Sequence, residues 1–425
     1  HGADVNTVRR CSLLWAAATS GYAGLVNLCL EYGADINSRD EVLHRTPLVA
    51  CVCIGETDMA KLLIDRGADI SIVDCNGHDA LFYALESDNT ELFNLLIKNK
   101  AGLSRVRLNN VINIHSIKDL LDLGVDIDEV DITGMSLLLY AYSECKDMST
   151  VNLLLQRGAN PNNGRHKILN AAVVYNNVDM FFLLIQHGAN INERDENGED
   201  PLRTLLCTSY NEIMFKYLLE HGADVNSPDE NGLTPLMIAL MNRLPKDMVI
   251  SLIKYGADVN AVDCENETPL FYAIYNEYDV ELITMILENN ADVNAVCCMG
   301  ISALQKALPD ISIIKLLLSY GCSVNTFDIY GYSPICSAAE KGLLEACSLF
   351  IQHGSHINTP NVFGHTPLHA AVMSDCVELV TLLIDNNADV FSFDESNKLP
   401  IYYTRCVETT RILVINMILV SIRTH

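Results

Sequence analysis

Apolar positions follow one long period along this chain, and the same order of segments returns within each period. A short stretch of leucine, alanine and other small residues comes first, and a run of bulky aliphatic residues such as Leu62-Leu63-Ile64 follows it. Both stretches have the spacing of an amphipathic helix, and polar residues with glycine separate them. Each period of about 33 residues therefore predicts a short first helix, a turn and a longer second helix.

A five-residue phrase marks the end of each second helix and is complete, as Gly-Ala-Asp-Val-Asn, from Gly222 to Asn226. Its first position falls at Gly2, Gly33, Gly67, Lys100, Gly124, Gly158, Gly188, Gly222, Gly256, Asn290, Gly321, Gly354 and Asn387. Glycine suits the left-handed conformation that closes a helix, asparagine is its natural substitute, and Lys100 is a poor cap. A repeat of this length predicts modules that bury their apolar faces only by stacking on their neighbours, hence one array rather than several globular domains.

A threonine-proline-leucine phrase opens the first helix. It stands at Thr46-Pro47-Leu48, Thr234-Pro235-Leu236, Thr268-Pro269-Leu270 and Thr366-Pro367-Leu368. Proline at the first helical position loses no hydrogen bond, and the threonine before it can accept a bond from a free amide of the first turn. Together with the turn before it and the aliphatic helix after it, this phrase resembles the ankyrin repeat. The resemblance covers essentially the whole chain and implies an all-α solenoid, with a helix-turn-helix and a β-hairpin or loop per repeat, that forms a curved superhelix.

We therefore expect about thirteen tandem ankyrin repeats in one array over residues 1–394, followed by a degenerate C-terminal capping repeat over residues 395–425. The array begins inside a repeat, because His1-Gly2 is the tail of a second helix. We accordingly expect the chain to be a piece of a longer protein.

The repeat over about residues 100–124 is degenerate. It is about nine residues short, carries Lys100 in place of the capping glycine and lacks the threonine-proline-leucine phrase. Stability in such an array is a sum of module and interface contributions, so we expect this segment to open first. The apolar run Ile412–Ile422 is too short to span a bilayer, and we interpret it as a last second helix.

Charge and cysteine content narrow the classes of function. The protein has 28 lysine and arginine residues against 54 aspartate and glutamate residues, a net charge of −26. Such a chain repels phosphate and anionic lipid, so we expect no nucleic acid and no membrane surface as partner. Part of the charge is the aspartate of the phrase, as at Asp224, which we interpret as structural. Fifteen cysteines without a C-x-x-C pair predict free thiols in a reducing compartment, the cytoplasm or also the nucleus.

No pattern of residues in the sequence predicts catalysis. Glycine-rich phosphate loops, H-E-x-x-H, G-x-S-x-G and kinase signatures do not occur. Three histidines, His187, His221 and His353, precede the glycine that ends a second helix, where a cation suits the free carbonyls. The resemblance implies that His369 bonds loop backbone. Cys51 with Cys53, and Cys297 with Cys298, lack further ligands at zinc-site spacing. We expect no enzyme, no cofactor and no metal site.

Binding is expected at the variable positions, because the resemblance implies a concave binding side made of first helices and of the turns before them, here called tips. Tips in the middle of the chain are acidic, at Glu193, Asp195, Glu196, Glu199, Asp229 and Glu230. Tips near the C-terminus carry apolar residues, here called the tip ladder: Phe327, Ile329, Tyr330, Tyr332, Val362, Phe363, Phe391 and Phe393. Equivalent tips of successive repeats align in space, and exposed apolar ladders usually mark an interface.

Four tyrosines lie two residues after the leucine position of a first helix, at Tyr83, Tyr140, Tyr272 and Tyr403. We expect them to face the concave side, where a tyrosine offers contact area and keeps its hydroxyl for water or a partner. The sequence leaves open whether these rings instead cover the grooves between repeats.

The leading hypothesis is a non-enzymatic, monomeric scaffold that binds a protein with a basic or an extended apolar segment. One alternative is a substrate-recognition adaptor of a ubiquitin ligase complex, although residues 399–425 do not resemble an F-box or a SOCS box. Another is the cytosolic ankyrin portion of a larger channel, toxin or enzyme. The resemblance also implies a modification, because Asn226 and Asn260, each with a leucine eight residues upstream, are similar to sites of the asparaginyl hydroxylase that modifies ankyrin proteins.

Overall fold

The computed structural model describes residues 11–104, 106–112, 116–208 and 211–423. The phrase at Gly2 and the helix tail at His1-Gly2 lie outside the described residues. Within them, twenty-five α-helices and one 3-10 helix form thirteen helix pairs, as the period predicts. The same ranges contain no β-strand; two tips carry an isolated antiparallel bridge, Val130 with Ser136 and Val296 with Ser302. The predicted all-α repeat fold is confirmed, with its tips in the loop form.

The chain divides into two compact units, residues 1–201 and 202–425. In the first unit the described helices are α1 (Leu13–Thr19), α2 (Ala23–Glu31), α3 (Pro47–Ile54), α4 (Thr57–Asp65), α5 (Ala80–Glu86), α6 (Thr90–Lys98), α7 (Leu108–Ile112), α8 (Ile117–Asp122), α9 (Leu137–Ser143), α10 (Met148–Gln156), α11 (Ile168–Val174) and α12 (Val178–Gln186). Odd-numbered helices are first helices and even-numbered helices are second helices.

The helices of the second unit continue the alternation, beginning with one that crosses the boundary. They are α13 (Pro201–Cys207), α14 (Glu212–Glu220), α15 (Pro235–Met241), α16 (Lys246–Lys254), α17 (Pro269–Tyr275), α18 (Val280–Glu288), α19 (Ala303–Lys306), α20 (Ile311–Ser319), α21 (Pro334–Glu340), α22 (Leu344–Gln352), α23 (Pro367–Met373) and α24 (Val377–Asp385). The last pair is a 3-10 helix, Pro400–Tyr403, followed by α25, Val407–Arg423. With 17 residues, α25 is longer than the nine-residue second helices before it.

The predicted caps are present at both ends of the helices. At the start of α3 the Thr46 side chain accepts a hydrogen bond from the Val49 amide at 3.2 Å, and proline occupies the first turn. Beyond the second helices, Asn290 and Asn387 take φ angles of 66° and 70°, which confirms them as substitutes for glycine. Lys100 takes the same left-handed conformation, with φ of 68°, despite its Cβ atom.

The core consists of small residues of the first helices packed against bulky residues of the second. In α21 both Ala338 and Ala339 are fully buried, and in α22 Phe350 is too. Alanine allows the next first helix to approach closely, while the second helix fills the layer behind it. The apolar side chains that recur in every period are therefore buried between stacked helices, so a binding function must use other positions.

The degenerate repeat over residues 100–124 keeps both helices in shortened form, because α7 has five residues and α8 has six. Its core is still closed, with Leu103, Val111 and Leu120 fully buried. The loop before α7 is held by the Glu129 side chain, whose Oε1 accepts the Leu103 amide at 2.6 Å.

In several repeats the asparagine of the phrase bonds to the next repeat. Asn226 Oδ1 accepts the Asp258 amide at 2.7 Å, and its Nδ2 donates to the Gly256 carbonyl at 2.9 Å. The same pair of bonds to the following repeat is made by Asn260, Asn325 and Asn358. The aspartate of the phrase closes its own turn, as Asp224 does by accepting the Asn226 amide at 2.9 Å. The structural interpretation of this repeated aspartate is confirmed.

Candidate functional site

Most tips begin with a residue whose side chain closes the turn, here called the tip anchor. Asp328 Oδ1, for example, accepts the amides of Tyr330 and Tyr332 at 2.9 and 2.8 Å. Asn361 makes the equivalent bonds through its amide oxygen, to Phe363 and His365. The anchors that close their tips in this way are Asp40, Asp74, Asp131, Asp195, Asp229, Asp263, Asp328, Asn361 and Asp394.

A regular series of backbone hydrogen bonds joins neighbouring tips of the second unit. The amide one residue after an anchor donates to the carbonyl two residues after the preceding anchor position. The donor and acceptor pairs are Cys264 to Asn231, Cys298 to Glu265, Ile329 to Met299, Val362 to Tyr330 and Glu395 to Phe363, at 2.7 to 3.1 Å. Side chains at equivalent tip positions therefore lie side by side in rows on a rigid backbone.

The last of these contacts requires a glycine. Gly364 has a φ of 76°, and a Cβ atom there would lie 2.6 Å from the Glu395 amide nitrogen and 2.7 Å from the Asp394 Cα. No side chain fits between the two tips at this point. The close approach keeps the C-terminal tips in contact through their backbones.

Seven residues of the tip ladder are exposed, from 36% for Phe391 to 62% for Phe393, and the eighth, Tyr332, is partly buried. The ladder residues do not all occupy equivalent positions in their tips. Val362 and Phe363 follow their anchor as Ile329 and Tyr330 do, but Glu395 and Ser396 occupy these places in the third tip.

Phe391 departs from the ladder as well. It lies three residues before its anchor and lines a cleft with the C-terminal helix α25, at Met417, Ile418 and Ile422. We attribute this to the poor match of the last repeat to the others. Phe391 therefore belongs to the end of the unit rather than to the aligned tips.

Counting positions from the anchors identifies a longer row of exposed apolar residues, which the search for aromatic residues in the sequence did not find. The residue directly before each anchor position is exposed and apolar in six successive repeats of the second unit. This apolar row consists of Pro228, Val262, Val296, Phe327, Pro360 and Phe393. Met299, in register with Tyr330 and Phe363, extends the ladder by one repeat. Counting positions from the anchor aspartate would have found these residues from the sequence.

All four predicted tyrosines use their hydroxyls within the chain, and three of them bond their anchors. Each donates to the anchor nine residues before it: Tyr83 to Asp74 at 2.5 Å, Tyr272 to Asp263 at 2.6 Å, and Tyr403 to Asp394. Tyr140 is buried, and its hydroxyl donates to Asn109 at 2.6 Å. These rings cover grooves between a tip and its first helix, so the expectation of hydroxyls kept for water or a partner does not describe them.

The Tyr403 contact helps to keep its anchor, Asp394, ionised. Burial by itself would raise the pKa of Asp394, but the Tyr403 hydroxyl, two backbone amides and the nearby His365 lower that pKa to about 2. Burial and the neighbouring Asp263 raise the pKa of Tyr272 far above its usual range. Asp394 is therefore a carboxylate at neutral pH and Tyr272 is a neutral phenol, as structural roles require.

Two of the predicted acidic tip residues have structural roles in the tips. Asp195 and Asp229 are anchors, and each accepts two amides of its own turn. Asp229 also lies 2.9 Å from the buried guanidinium of Arg203. Glu196 is 3.1 Å from His166, and Glu230 is exposed. The predicted partner contact therefore concerns the glutamates of these tips rather than the two anchors.

The histidine predictions are confirmed where the structure gives their bonds. His369 Nδ1 accepts the Thr366 amide at 3.2 Å, so Nε2 carries the proton and donates to the Lys398 carbonyl at 3.3 Å. Burial lowers the pKa of His369 and favours this neutral form. His221 and His353 each contact the carbonyl four residues earlier, at 2.9 Å.

The thiols show no arrangement for chemistry. All fifteen cysteines lie in described residues and are free, and burial raises the pKa of Cys322, Cys336 and Cys347 to about 12. Over the described ranges, no three His, Cys, Asp or Glu side chains converge as a metal site would require. Among the helices of that same part of the chain, none is both long and apolar enough to cross a bilayer.

Comparison with known proteins agrees with this anatomy. A family model described as "Ankyrin repeats (3 copies)" matches residues 13–107, 106–195, 169–263, 204–297, 241–328 and 301–394. A putative ankyrin repeat protein of fowlpox virus, FPV223, is 33% identical over 124 residues, which are 28% of this chain and 88% of that protein.

Two larger proteins share shorter portions. The ADP-ribosylation factor GTPase-activating protein AGD2 of Arabidopsis thaliana is 45% identical over 95 residues, 21% of this chain and 12% of that protein. The potassium channel AKT2/3 of the same plant is 30% identical over 164 residues, 37% of this chain and 20% of the channel. The chain thus spans only a small part of either relative. Capped helix pairs, anchored tips and family matches from residue 13 to residue 394 together show that the chain belongs to the ankyrin repeat family.

Proposed function

We propose that the protein is a non-enzymatic scaffold that binds a protein partner along the tips of its second unit. Ankyrin repeats imply protein-protein interaction, and the observation that carries the finer assignment is the apolar row. Six successive repeats each expose an apolar side chain at the same position, from Pro228 to Phe393. An aligned apolar strip that long is costly in water unless another surface covers it.

The backbone beneath the strip favours binding. Tips joined by hydrogen bonds present Phe327, Tyr330 and Phe363 without a loop having to become ordered when a partner arrives, so little conformational entropy is lost. Exposed aromatic residues on such a support are typical of the side chains that dominate binding energy. Because the row runs across repeats, an extended segment is the ligand shape that contacts most of it.

Charge adds the second property of the partner. Exposed glutamates, among them Glu230, Glu265 and Glu395, lie on the same tips as the apolar row. With a net charge of −26, the protein attracts a partner whose segment combines apolar and basic residues. We further infer that the protein works in a reducing compartment such as the cytoplasm, because the chain carries fifteen free thiols. We also propose that it is a monomer.

The second candidate function is the ankyrin portion of a larger channel or enzyme. It is favoured by the matches to AGD2 and AKT2/3, of which this chain covers 12% and 20%. Those matches cover only short segments of the two relatives, so they carry neither activity to this chain. The tips would serve the same binding role in either case. The ubiquitin-ligase adaptor remains a hypothesis that no specific contact favours.

The test replaces Phe327, Tyr330, Phe363 and Phe393 together with serine. We expect loss of partner capture, since removing one such anchor costs about 2 kcal/mol, roughly thirtyfold in affinity. Partners are identified by affinity capture with quantitative mass spectrometry, and binding of the identified partner is then measured by titration.

A matched control removes similarly exposed apolar side chains from second helices, Ile213 and Leu344, and from the residues that directly follow second helices, Tyr255 and Tyr320. The control should retain capture. Thermal unfolding and circular dichroism of both variants should match the wild type, because tip side chains contribute little to the stacked core. A sharp fall in the melting temperature of the ladder variant would instead show that these rings are packing elements.

A further inference from the structure

A cavity of about 280 Å³ opens beside the tip ladder, between the repeat with Cys297 at its anchor position and the repeat anchored by Asp328. Two aromatic rings, Tyr330 and Tyr332, and two carboxylates, Asp328 and Glu340, line it. Ser337 forms part of its wall. The cavity takes part neither in the stacked core nor in the apolar row.

One wall of the cavity is formed by a small side chain. Residues nine positions after an anchor are Tyr83, Tyr272 and Tyr403 in three other repeats, where the anchors are only 5 to 9% exposed. In this repeat the position is Ser337. Asp328 is half-buried, and within the described ranges the two bonds that it accepts both go to Oδ1. Its Oδ2 is left for another donor.

One equivalent groove, in the first unit, holds a cation. There the Arg45 guanidinium lies 4.7 Å above the Tyr83 ring, donates to its hydroxyl at 2.9 Å and lies 3.6 Å from Asp74. The imidazole of His365 occupies the same position in its repeat and lies 3.6 Å from Asp394. Ile301 stands at this position beside Asp328, so the position that Arg45 fills supplies no cation to this groove.

We propose that this cavity binds an arginine side chain supplied by the partner segment that lies along the tip ladder. The guanidinium would bond Asp328 and Glu340 and lie against the rings of Tyr330 and Tyr332, as Arg45 does with Asp74 and Tyr83. Arginine fits better than lysine because its planar group bonds two carboxylates while stacking on an aromatic face. The assignment rests on the proposed function for the source of the arginine.

One charge opposes the ligand. Lys341 also lines the cavity, and its ammonium competes with an arriving guanidinium for the same carboxylates. Lys341→Ala should therefore raise affinity for a cationic ligand. Glu340 exerts the opposite influence: burial, and next the Glu340 carboxylate, raise the pKa of the Tyr332 phenol, as expected for a carboxylate close to the ring.

The probe is N-acetyl-arginine-amide, with N-acetyl-citrulline-amide as its neutral analogue of almost the same shape. Saturation-transfer difference NMR on the full chain detects such weak ligands. We expect signals from the arginine probe with a dissociation constant on the order of millimolar, and signals about tenfold weaker from citrulline.

Three variants locate the site. Ser337→Tyr supplies the ring that other repeats carry and should abolish binding of the arginine probe while leaving the melting temperature unchanged or higher. Asp328→Asn should weaken binding about tenfold and preserve the turn, because Asn361 closes the next tip with the same two bonds. Glu345→Gln is the control. That glutamate pairs with Lys315, both on second helices, so the change should leave binding of the arginine probe unaffected.

Equal binding of the arginine and citrulline probes would overturn the assignment, as would arginine binding that survives both Ser337→Tyr and Asp328→Asn. The probe needs no partner, so this result is independent of capture. If the ladder variant loses partner capture but the wild-type chain does not bind the arginine probe, the proposed function stands and the arginine site in the cavity is refuted. Arginine binding that Ser337→Tyr removes, with capture unaffected by the ladder variant, would refute the proposed interface and keep the site.

Discussion

Tips of the two units share their anchors but differ in what they expose. In the first unit the residues before the anchors include Arg39 and Arg194, which are exposed, and Val73 and Val130, which are partly buried. The second unit has an exposed apolar residue at every equivalent position from Pro228 to Phe393. The same turn chemistry thus supports two different surfaces, and only the second is an apolar strip.

The backbone hydrogen bonds between neighbouring tips also differ between the two units: they are regular in the second unit and irregular in the first. The second unit repeats one bond between equivalent positions five times. In the first unit the donors and acceptors shift, for instance from Ile132 to the Val106 carbonyl and from Arg165 to the Gly134 carbonyl. Regular register lines up side chains, whereas a shifted register scatters them. The comparison teaches that a binding strip in an array needs both apolar residues and constant spacing from one tip to the next.

The largest expected effect comes from breaking the contact between tips. Gly364→Ala should destabilise the second unit by about 3 kcal/mol, because it combines left-handed strain with a Cβ contact of 2.6 Å to backbone. Gly354→Ala carries similar strain, with φ of 82°, but no atom within 4 Å, so it should cost only about 1 kcal/mol. Urea unfolding of both variants measures the difference. Equal losses would mean that the close approach of the tips is not tight.

The next prediction tests the apolar row at positions outside the aromatic ladder. Val262→Asp and Val296→Asp together should weaken partner binding about thirtyfold, because each places a carboxylate where an apolar contact is proposed. Val42→Asp is the counterpart in the first unit, at a tip valine that is even more exposed, and should leave binding unchanged. Titration of the captured partner decides. Weakening by Val42→Asp as well would extend the interface into the first unit.

A smaller effect should separate repeats within the first unit. Helix α8 has six residues and buries two of them, whereas α10 has nine and buries three. Amides of α8 should therefore exchange with solvent about tenfold faster than those of α10, because fewer buried contacts resist local opening. Hydrogen exchange measured by mass spectrometry resolves the two helices. Equal protection would show that the degenerate repeat is as stable as its neighbours.

The smallest effect concerns the acidic tips. Glu196→Gln and Glu230→Gln should lower the association rate with a basic partner by about twofold to threefold and leave dissociation unchanged, as peripheral charges do. Stopped-flow measurements at low and high salt test this. The anchors Asp195 and Asp229 are unsuitable for the purpose, because neutral replacements that lose their turn bonds would also lower stability. A large rise in the dissociation rate would place the glutamates inside the interface.

Much of the architecture was predictable because the same sequence signals for helices and turns recur in each repeat. The caps at Thr46 and Asn290 follow from local rules of helix ends and turns, whereas the backbone contact of His369 was implied by the resemblance to the ankyrin repeat. The exposed ladder was predictable in part, since Phe327, Tyr330 and Phe363 stand at turn positions. Val262 and Val296 were missed because a single valine in a turn carries no signal until its position is counted from the anchor.

The tyrosines show where local reasoning ends. Tyr83, Tyr272 and Tyr403 lie on the expected face of their first helices, yet their hydroxyls reach anchors nine residues earlier. Helical periodicity predicts the direction of a side chain, but it does not predict what lies within reach of that side chain across a turn. The cavity at Ser337 was invisible for the same reason, because it is defined by a ring that other repeats have and this one lacks.

By itself the sequence determined the repeat, the helix pairs and the polar phrase that joins them, because these depend on contacts within about 33 residues or with an identical neighbour. Tertiary structure alone decided which tips share a register, which carboxylates are covered and where a groove stays open. Those outcomes depend on contacts between non-identical residues of adjacent repeats, such as the hydrogen bond from the Glu395 amide to the Phe363 carbonyl. The stacking of the repeats determines these contacts, and the local sequence pattern does not.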